Sequence, residues 1–427
     1  MNILIIGKGG REHAIAWKAA QSDVVSKIFV IPGNDGMSRT QKIITVNIAE
    51  NNHADLIQFA KENDIKLTII GPENALLNGL SDDFKKHGLA VFGPSKEAAM
   101  IEGSKQFAKE IMQKHHIQTA YFQTFSTYQS ASVYLQKQNF PIVVKYDGLA
   151  AGKGVVVAQN YEEADLALKE MLLEQKFGQG KVVIEEYLEG IEFSLMALVN
   201  GETVVPLMIA QDHKRAFDGD FGPNTGGMGA YTPVPLIPKE CVEEAVETIM
   251  KRMAKAMVAE GKPFTGVLYG GLMLTKNGVK VIEFNARFGD PETEVILPKM
   301  KSDLIQHIID LLEGKEVNIE WHEEIFMGVV MASKGYPAGD TKGAPILGLD
   351  NVQNTVFHMG TYYKDGQWFT NGGRVLFVVG KGNNMTDAQQ NTYQAVSLIK
   401  SDSLFFRTDI GFQMLGFLSI LQKFKDF

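Results

Sequence analysis

The chain has 427 residues, 45% of them hydrophobic and 22% charged, the profile of a folded protein with room for roughly two to four domains. A net charge of −8 argues against a general nucleic-acid binder, and no run approaches the ~20 apolar residues of a membrane span. The single cysteine, Cys241, excludes an internal disulfide frame, and with no targeting segment legible at the N-terminus the expected location is the cytoplasm.

In chain order, residues 1–103 alternate β-branched runs (3–6, 27–31, 43–46, 67–70 and 90–92) with helical patterns (12–20, 54–62 and 77–87). This alternation predicts a doubly wound parallel sheet, whose ligands sit beyond the carboxyl ends of the strands. The first such end is Gly7-Lys8-Gly9-Gly10-Arg11-Glu12-His13. Amide groups at a helix start favour an anion and Arg11 adds a charge; the alternative is a glycine turn that only packs strand on helix. A dinucleotide fingerprint fails, because the second strand ends Ile31-Pro32-Gly33-Asn34 without an acid for a ribose hydroxyl.

Residues 104–190 read as a compact α+β unit: helix 104–115, strand 141–145, glycine loop 148–154, strand 155–158, helix 162–173 and strand 182–186. The loop Lys145-Tyr146-Asp147-Gly148-Leu149-Ala150-Ala151-Gly152-Lys153-Gly154 departs from a P-loop, with a short glycine spacing and Gly154 where Ser or Thr should follow the lysine. Its amides and Lys153 can still fold over triphosphate oxygens. Lys145, closing an apolar strand, is either a surface end or a phosphate ligand. Glu185, Glu186 and Glu192 are either a solvated strand edge or part of the same site.

Longer antiparallel strands follow to about residue 325, the clearest being the hairpin 266–275 and 278–285 through Lys276-Asn277-Gly278. Gln211-Asp212-His213-Lys214-Arg215 leads into a glycine-rich run to Gly229, expected to be a structureless functional loop. In Val281-Ile282-Glu283-Phe284-Asn285-Ala286-Arg287, alternation puts Glu283, Asn285 and Arg287 on one face and Ile282, Phe284 and Ala286 on the other, toward a core. Two oxygen donors at that spacing suit Mg²⁺, which binds through one or two protein oxygens plus substrate phosphates. Asp290-Pro291 also reads as the N-cap and first residue of the next helix. From 326 the chain is strand-rich, with turns at 364–366 and 371–373 and a helix at 386–400. Thr370-Asn371-Gly372-Gly373-Arg374 is either a hairpin turn or an anion contact by Arg374. The apolar segment 412–427 is expected to be a terminal packing element.

Together the strings GKGGREHA, DGLAAGKGV, QDHKR, GPNTGGMGAY, EFNARFGDPE and NGGR resemble the ATP-grasp superfamily and, within it, the phosphoribosylamine–glycine ligase (glycinamide ribonucleotide synthetase) family, over nearly the whole chain. The resemblance implies an α/β and α+β multidomain protein. Its parts are an N-terminal doubly wound domain (1–103), an ATP-grasp domain (104–325) with a mobile lid at about 120–190, and a strand-rich C-terminal domain (326–427). It implies ATP contacts by Lys105, Lys145, Gly152, Lys153, Gly154, Glu185, Glu186, Leu188 and Glu192, and metal ligands Glu283 and Asn285 for Mg²⁺ or Mn²⁺. Arg287 and Lys145 are the implied catalytic residues. Gly9, Gly10, Arg11, Glu12, Glu73, Asp212, Lys214, Gly289, Asp290 and Arg374 are the implied substrate contacts. The implied reaction joins glycine to 5-phosphoribosylamine through glycyl phosphate, giving glycinamide ribonucleotide, ADP and phosphate in purine biosynthesis, by a monomer without nucleic-acid or membrane partners. The runner-up is another ATP-grasp carboxylate–amine ligase. Tyr146, where the family has a small residue, Ala286, in place of a common cysteine, and the apolar tail depart from the pattern.

Overall fold

The computed structural model describes residues 1–150 and 153–416. The N-terminal unit contains β1 (Asn2–Gly7), α1 (Gly10–Ala20), β2 (Lys27–Pro32), β3 (Ile43–Thr45), α2 (His53–Glu62), β4 (Ile65–Ile70), α3 (Glu73–Leu77), α4 (Leu80–Lys86), β5 (Val91–Phe92) and α5 (Lys96–Gly103). Its strands are parallel in the order β3-β2-β1-β4-β5. Ile3, Leu4, Ile5 and Ile6 of the central β1 are all buried, as a strand covered on both faces requires, so the apolar run does not alternate. The helix expected at 77–87 is instead two, α3 and α4, separated at Gly79, whose φ of +86° is a left-handed turn that a residue with a Cβ adopts at a cost.

The next helix, α6 (Lys105–Lys114), leads into a small sheet of β6 (Phe122–Phe125), β7 (Ile142–Tyr146), β8 (Val155–Ala158) and β9 (Val182–Glu186), with α7 (Tyr128–Leu135) and α8 (Tyr161–Leu168). The order is β6-β9-β7-β8, antiparallel throughout. This unit has its own core, including Leu135, Val144, Leu168 and Ile184. Tyr146 lies in it, 5.4 Å from the Phe177 ring. A Cβ at Gly180 would lie 2.7 Å from the Tyr146 hydroxyl and one at Gly148 2.8 Å from its ring, so glycines make room for the bulky residue.

A second antiparallel sheet, β11-β10-β16-β17, is formed by β10 (Ile191–Asn200), β11 (Thr203–Pro206), β16 (Thr265–Thr275) and β17 (Gly278–Asn285). The expected 266–285 hairpin is present, with a register shift: Leu272 pairs with Val281 and Gly271 with Glu283, leaving Ile282 as a bulge. The alternation inferred from the sequence therefore breaks at one position. Val281, Phe284 and Ala286 are buried, whereas Ile282 is only half-buried.

Between these strands lie β12 (Gln211–Asp212), β13 (Arg215–Phe217), β14 (Phe221–Asn224), β15 (Gly229–Thr232), α9 (Lys239–Ala245) and α10 (Lys251–Ala259); α11 (Thr293–Lys299) and α12 (Leu304–Leu312) follow. The run after Gln211 is not structureless: β13 and β14 pair as a hairpin, Arg215 opposite Asn224. The last sheet is built from β18 (Ile325–Ser333), β20 (Val356–His358) and β23 (Arg374–Gly382) in the order β12-β15-β18-β23-β20, with β24 (Leu404–Phe405) on β18. It therefore borrows β12 and β15 from the middle of the chain. β19 (Pro345–Ile346), β21 (Thr361–Lys364) and β22 (Gln367–Thr370) form a separate three-stranded sheet, and α13 (Met385–Leu398) packs on the larger one. Residues 371–373 are not the hairpin turn that the sequence allows, because β22 and β23 belong to different sheets.

Candidate active site

The root of the glycine loop is fixed to the start of α6. Asp147 accepts from the Ser104 hydroxyl at 3.1 Å and the Gln106 amide at 3.1 Å, and the Lys105 ammonium donates to the Gly148 carbonyl at 3.0 Å. Lys153 is exposed, Gly154 closes the loop by accepting from the Tyr146 amide at 2.8 Å, and Gly152 lies outside the described residues. Lys145 is buried; its ammonium is 3.0 Å from Glu185 Oε2 and donates to the Ile282 carbonyl at 3.2 Å. The bulge in β17 turns that carbonyl toward the lysine. Glu185 is also buried and uses its side chain inside the protein. Glu186 is exposed, accepting from the Tyr121 amide at 3.1 Å and pairing with Lys280 at 3.0 Å. Leu188 is half-buried beyond the strand end. The Glu186 amide in turn donates to the Tyr121 carbonyl at 2.9 Å, so neither its side chain nor its amide is left free.

Glu283 and Asn285 close β17 on the site side. Burial pushes the Glu283 carboxyl up, but Lys145, Lys214, Lys105 and Arg287 outweigh it and hold it below the usual carboxylate range. Asn285 satisfies its neighbours only with its amide turned so that the nitrogen donates to the Phe284 carbonyl and to Glu102 Oε1, each at 3.3 Å, which puts its carbonyl oxygen on the other branch. Among the described residues no three His, Cys, Asp or Glu side chains cluster to hold a metal. An ionised carboxylate and one amide oxygen fit a divalent cation that completes its shell with phosphate oxygens, and do not fit a closed all-protein cage. Arg287 is clamped between two acids, 3.0 Å from Glu102 and 3.5 Å from Glu73. Burial opposes its charge, yet these acids raise its affinity for the proton.

Lys214 pairs with Glu192 and lies 3.8 Å from Asp212. Burial, assisted by Glu292 and Glu192 and opposed by Lys214, pushes the Asp212 carboxyl up to about 7. Glu292, itself buried, accepts from Ser194 at 2.9 Å and Tyr269 at 2.8 Å. Gly289 admits no side chain, since a Cβ would stand 2.6 Å from Glu292 Oε2. Asp290 is not the N-cap of α11, which begins at Thr293 after Glu292. It pairs instead with Arg374 at 2.9 Å, and Arg374 also donates to the Gly226 carbonyl at 2.9 Å. Three separate strings, FGDPE, GPNTGG and NGGR, meet at that guanidinium.

At the first strand end, Glu12 takes up the helix start from within. Its Oε2 accepts from the Gly9 amide at 2.7 Å and its Oε1 from Arg11 at 2.6 Å, while Arg11 also donates to the Phe288 carbonyl at 3.2 Å. The Gly9 amide and the buried Arg11 thus both have partners within the protein. Gly9 and Gly10 face Asp290 and Glu294: a Cβ at Gly10 would meet Glu294 Oε1 at 2.6 Å.

The structure thus gathers Lys105, Lys145, Glu185, Glu283, Asn285 and Arg287 on one side, and Gly9, Gly10, Gly289, Asp290 and Arg374 on another, with Asp212 on the edge strand β12, Lys214 just after it and Glu192 at the start of β10. Four buried side chains that the motifs do not single out also contribute: Glu102, Lys109, Glu292 and Glu294. Glu292 lies inside a quoted string; for Glu102 and Lys109, on helices rich in charge, no sequence pattern separates them from solvated residues.

Family models match nearly the whole chain: the phosphoribosylglycinamide synthetase N domain over residues 1–102, its ATP-grasp (A) domain over 103–293 and its C domain over 326–413. A phosphoribosylamine–glycine ligase of Halalkalibacterium halodurans is 54% identical over 415 residues, 96% of each chain. That of Streptococcus pneumoniae strain R6 is 50% identical over 416 residues, 96% of this chain and 99% of the other. The crystal structure of the Thermotoga maritima phosphoribosylamine–glycine ligase superposes with a TM-score of 0.84 at 34% identity, covering 96% of this chain and 100% of that one. The biotin carboxylase domain of Hydrogenobacter thermophilus 2-oxoglutarate carboxylase, in complex with MgADP, shares the fold at TM-score 0.69 and 14% identity, covering 95% of this chain and 91% of that one.

Proposed function

This chain belongs to the phosphoribosylglycinamide synthetase family and is an ATP-grasp ligase of purine biosynthesis, and from that premise we propose how its residues carry the reaction. Its substrates are glycine, 5-phosphoribosylamine and ATP, the reading implied by the names of its relatives; these do not favour a different carboxylate–amine ligase. The observation that carries the residue-level reading is the concentration of cations whose charge reaches the Glu283 carboxylate, Lys145, Lys214, Lys105 and Arg287, which together, against burial, hold it below the usual carboxylate range. Such a concentration of positive charge suits a polyphosphate and a developing acyl phosphate.

Glycine's carboxylate is a poor electrophile because oxide is too basic a leaving group. Its oxygen attacks the γ-phosphorus, the bond from γ-phosphorus to the β-bridging oxygen breaks, and ADP leaves with that electron pair. The amine of phosphoribosylamine then attacks the carbonyl carbon of glycyl phosphate. The carbon–oxygen bond to phosphate breaks, and the nitrogen gives up a proton. Lys105 and Lys145 hold the nucleotide phosphates, the 148–154 loop covers them, and the backbone of Glu185, Glu186 and Leu188 receives the base. Glu192 is placed for the ribose once Lys214 releases it. A divalent cation, Mg²⁺ or Mn²⁺, on Glu283 and Asn285 would neutralise phosphate charge. Arg287, held rigid by Glu73 and Glu102, is aimed at charge that develops on the transferring group without having to reorganise. Asp212 and Lys214 offer opposite charges to the two ends of glycine. Asp290, Gly289, Arg374 and the turn from Gly9 to Glu12 form the wall toward phosphoribosylamine.

We propose a cytoplasmic monomer, as the resemblance implies. Among the described residues no helix is long and apolar enough to cross a membrane. The test is ADP release with glycine and phosphoribosylamine omitted in turn. Release that needs both supports the reading; rapid release with another carboxylate and amine, and none with this pair, defeats it.

A further inference from the structure

We propose that Lys109 is a positioning residue for nucleotide binding, acting on Lys145 through the Glu185 carboxylate. The inference rests on the reading of Lys145 as a phosphate ligand. Lys109 stands one helical turn after Lys105 on α6, so both project from the same face. Its ammonium is 2.9 Å from Glu185 Oε2, and the Lys145 ammonium is 3.0 Å from that same oxygen. All three side chains are at most 4% exposed. Among the described residues Glu185 Oε1 has no hydrogen-bond partner, and the other carboxylate oxygen is shared between two cations.

The consequence is electrostatic. With little water present, a carboxylate facing Lys145 alone would form a tight ion pair and compete with a phosphate for that ammonium. Lys109 takes part of the carboxylate's charge, leaving Lys145 net cationic toward the site. Lys109 also fixes the geometry. It donates to the Thr119 hydroxyl at 2.7 Å, which donates to the Val281 carbonyl at 2.7 Å, while Lys145 donates to the adjacent Ile282 carbonyl at 3.2 Å. Both carbonyls flank the β17 bulge that leads into Glu283. One lysine outside every motif thus joins α6, β9 and the strand carrying Glu283. Burial holds its ammonium down, to about 8, against the pull of Glu185, so the proton is retained at neutral pH. The other groups facing it are Lys145, Glu283 and the Phe122 ring, 5.8 Å away.

The test compares Lys109→Met, Lys109→Arg and Glu185→Gln enzymes, alone and combined, by calorimetric MgADP affinity and by the KM for ATP and for glycine. Lys109→Met is expected to weaken MgADP and raise the ATP KM roughly tenfold, with the glycine KM unchanged within twofold. Lys109→Arg, which keeps the charge, should recover most of the loss. In a Glu185→Gln background, Lys109→Met should change MgADP affinity less than threefold, because the carboxylate through which it acts is gone. That pair of enzymes decides the matter if Lys109→Met alone does not fold. Equal rises in both KM values, no recovery with arginine, or an undiminished effect in the Glu185→Gln background would overturn the proposal. A Lys145→Met control separates the two levels. Normal MgADP affinity in that variant defeats the nucleotide-site reading itself, whereas weakened affinity there with none lost in Lys109→Met defeats only the role of Lys109.

Discussion

Arg287 and Asp212 show how burial sets the chemistry of single side chains here. Arg287 satisfies Glu73 and Glu102, so removing it takes out the charge we propose for the transition state and also strands the buried Glu102. Arg287→Ala is expected to lower turnover about 10²–10³-fold and to cost about 3 kcal/mol of stability, read by kcat and urea unfolding. Arg287→Lys should keep most of the stability and still lose turnover, because an ammonium does not reproduce the fork that meets both acids. Asp212, pushed up to about 7 by burial, carries its negative charge only above that value. If it holds the glycine ammonium, kcat/KM for glycine falls as pH drops below about 7, and Asp212→Asn gives a low, flat profile. An unchanged break in the asparagine enzyme assigns the titration elsewhere. The motif residues were legible in the sequence because their types and spacing announce phosphate and metal chemistry. Glu102 and Lys109 were not, since Met-Ile-Glu-Gly and Phe-Ala-Lys-Glu read as ordinary helix surface until β9 and the end of β17 cover them.

At the level of elements, turns decide how the strand ends meet the site. Gly7 has a φ of +126°, and a Cβ there would lie 2.6 Å from the Glu12 carboxyl carbon. Gly7→Ala is expected to cost about 2 kcal/mol or more and to release the Gly9 amide from its internal acceptor. Thermal unfolding reads the first effect and the KM for phosphoribosylamine the second; a variant as stable as the parent would contradict the close fit. The parallel strands and the Asn-Gly hairpin were readable from local sequence because burial on two faces and one turn type each leave a local signature. The bulge at Ile282 was not, since it depends on where β16 sets its register. The β13–β14 hairpin was hidden by glycines, and β12 and β15 joining the last sheet is a pairing across about a hundred residues, which no window of sequence contains.

Across the whole molecule, neutral histidines sit at the seams. The His358 amide donates to His13 Nδ1 at 2.9 Å, joining the first and last parts of the chain, and the Gly411 amide donates to His213 Nε2 at 3.0 Å. Burial holds both imidazoles down, to about 4. A folded value below the unfolded one means that the unfolded chain takes up protons first as pH falls. Their contribution is therefore fully present above about pH 6.5 and lost toward pH 4, at about 1.4 kcal/mol per pH unit for each. Urea unfolding at pH 7 and pH 5 should show this slope, and His13→Gln with His213→Gln should flatten it; an identical slope in the double variant would exclude these two groups. His213 lies between Asp212 and Lys214, and the same Nε2 that accepts from the Gly411 amide lies 2.8 Å from the Gln413 side-chain amide, so the residues proposed to bind glycine are braced by residues 411–413. Cleavage near Phe406 followed by removal of the released segment would then impair glycine capture while leaving every side chain proposed to contact ligand in place, and a peptide spanning 406–416, added back, should repair it.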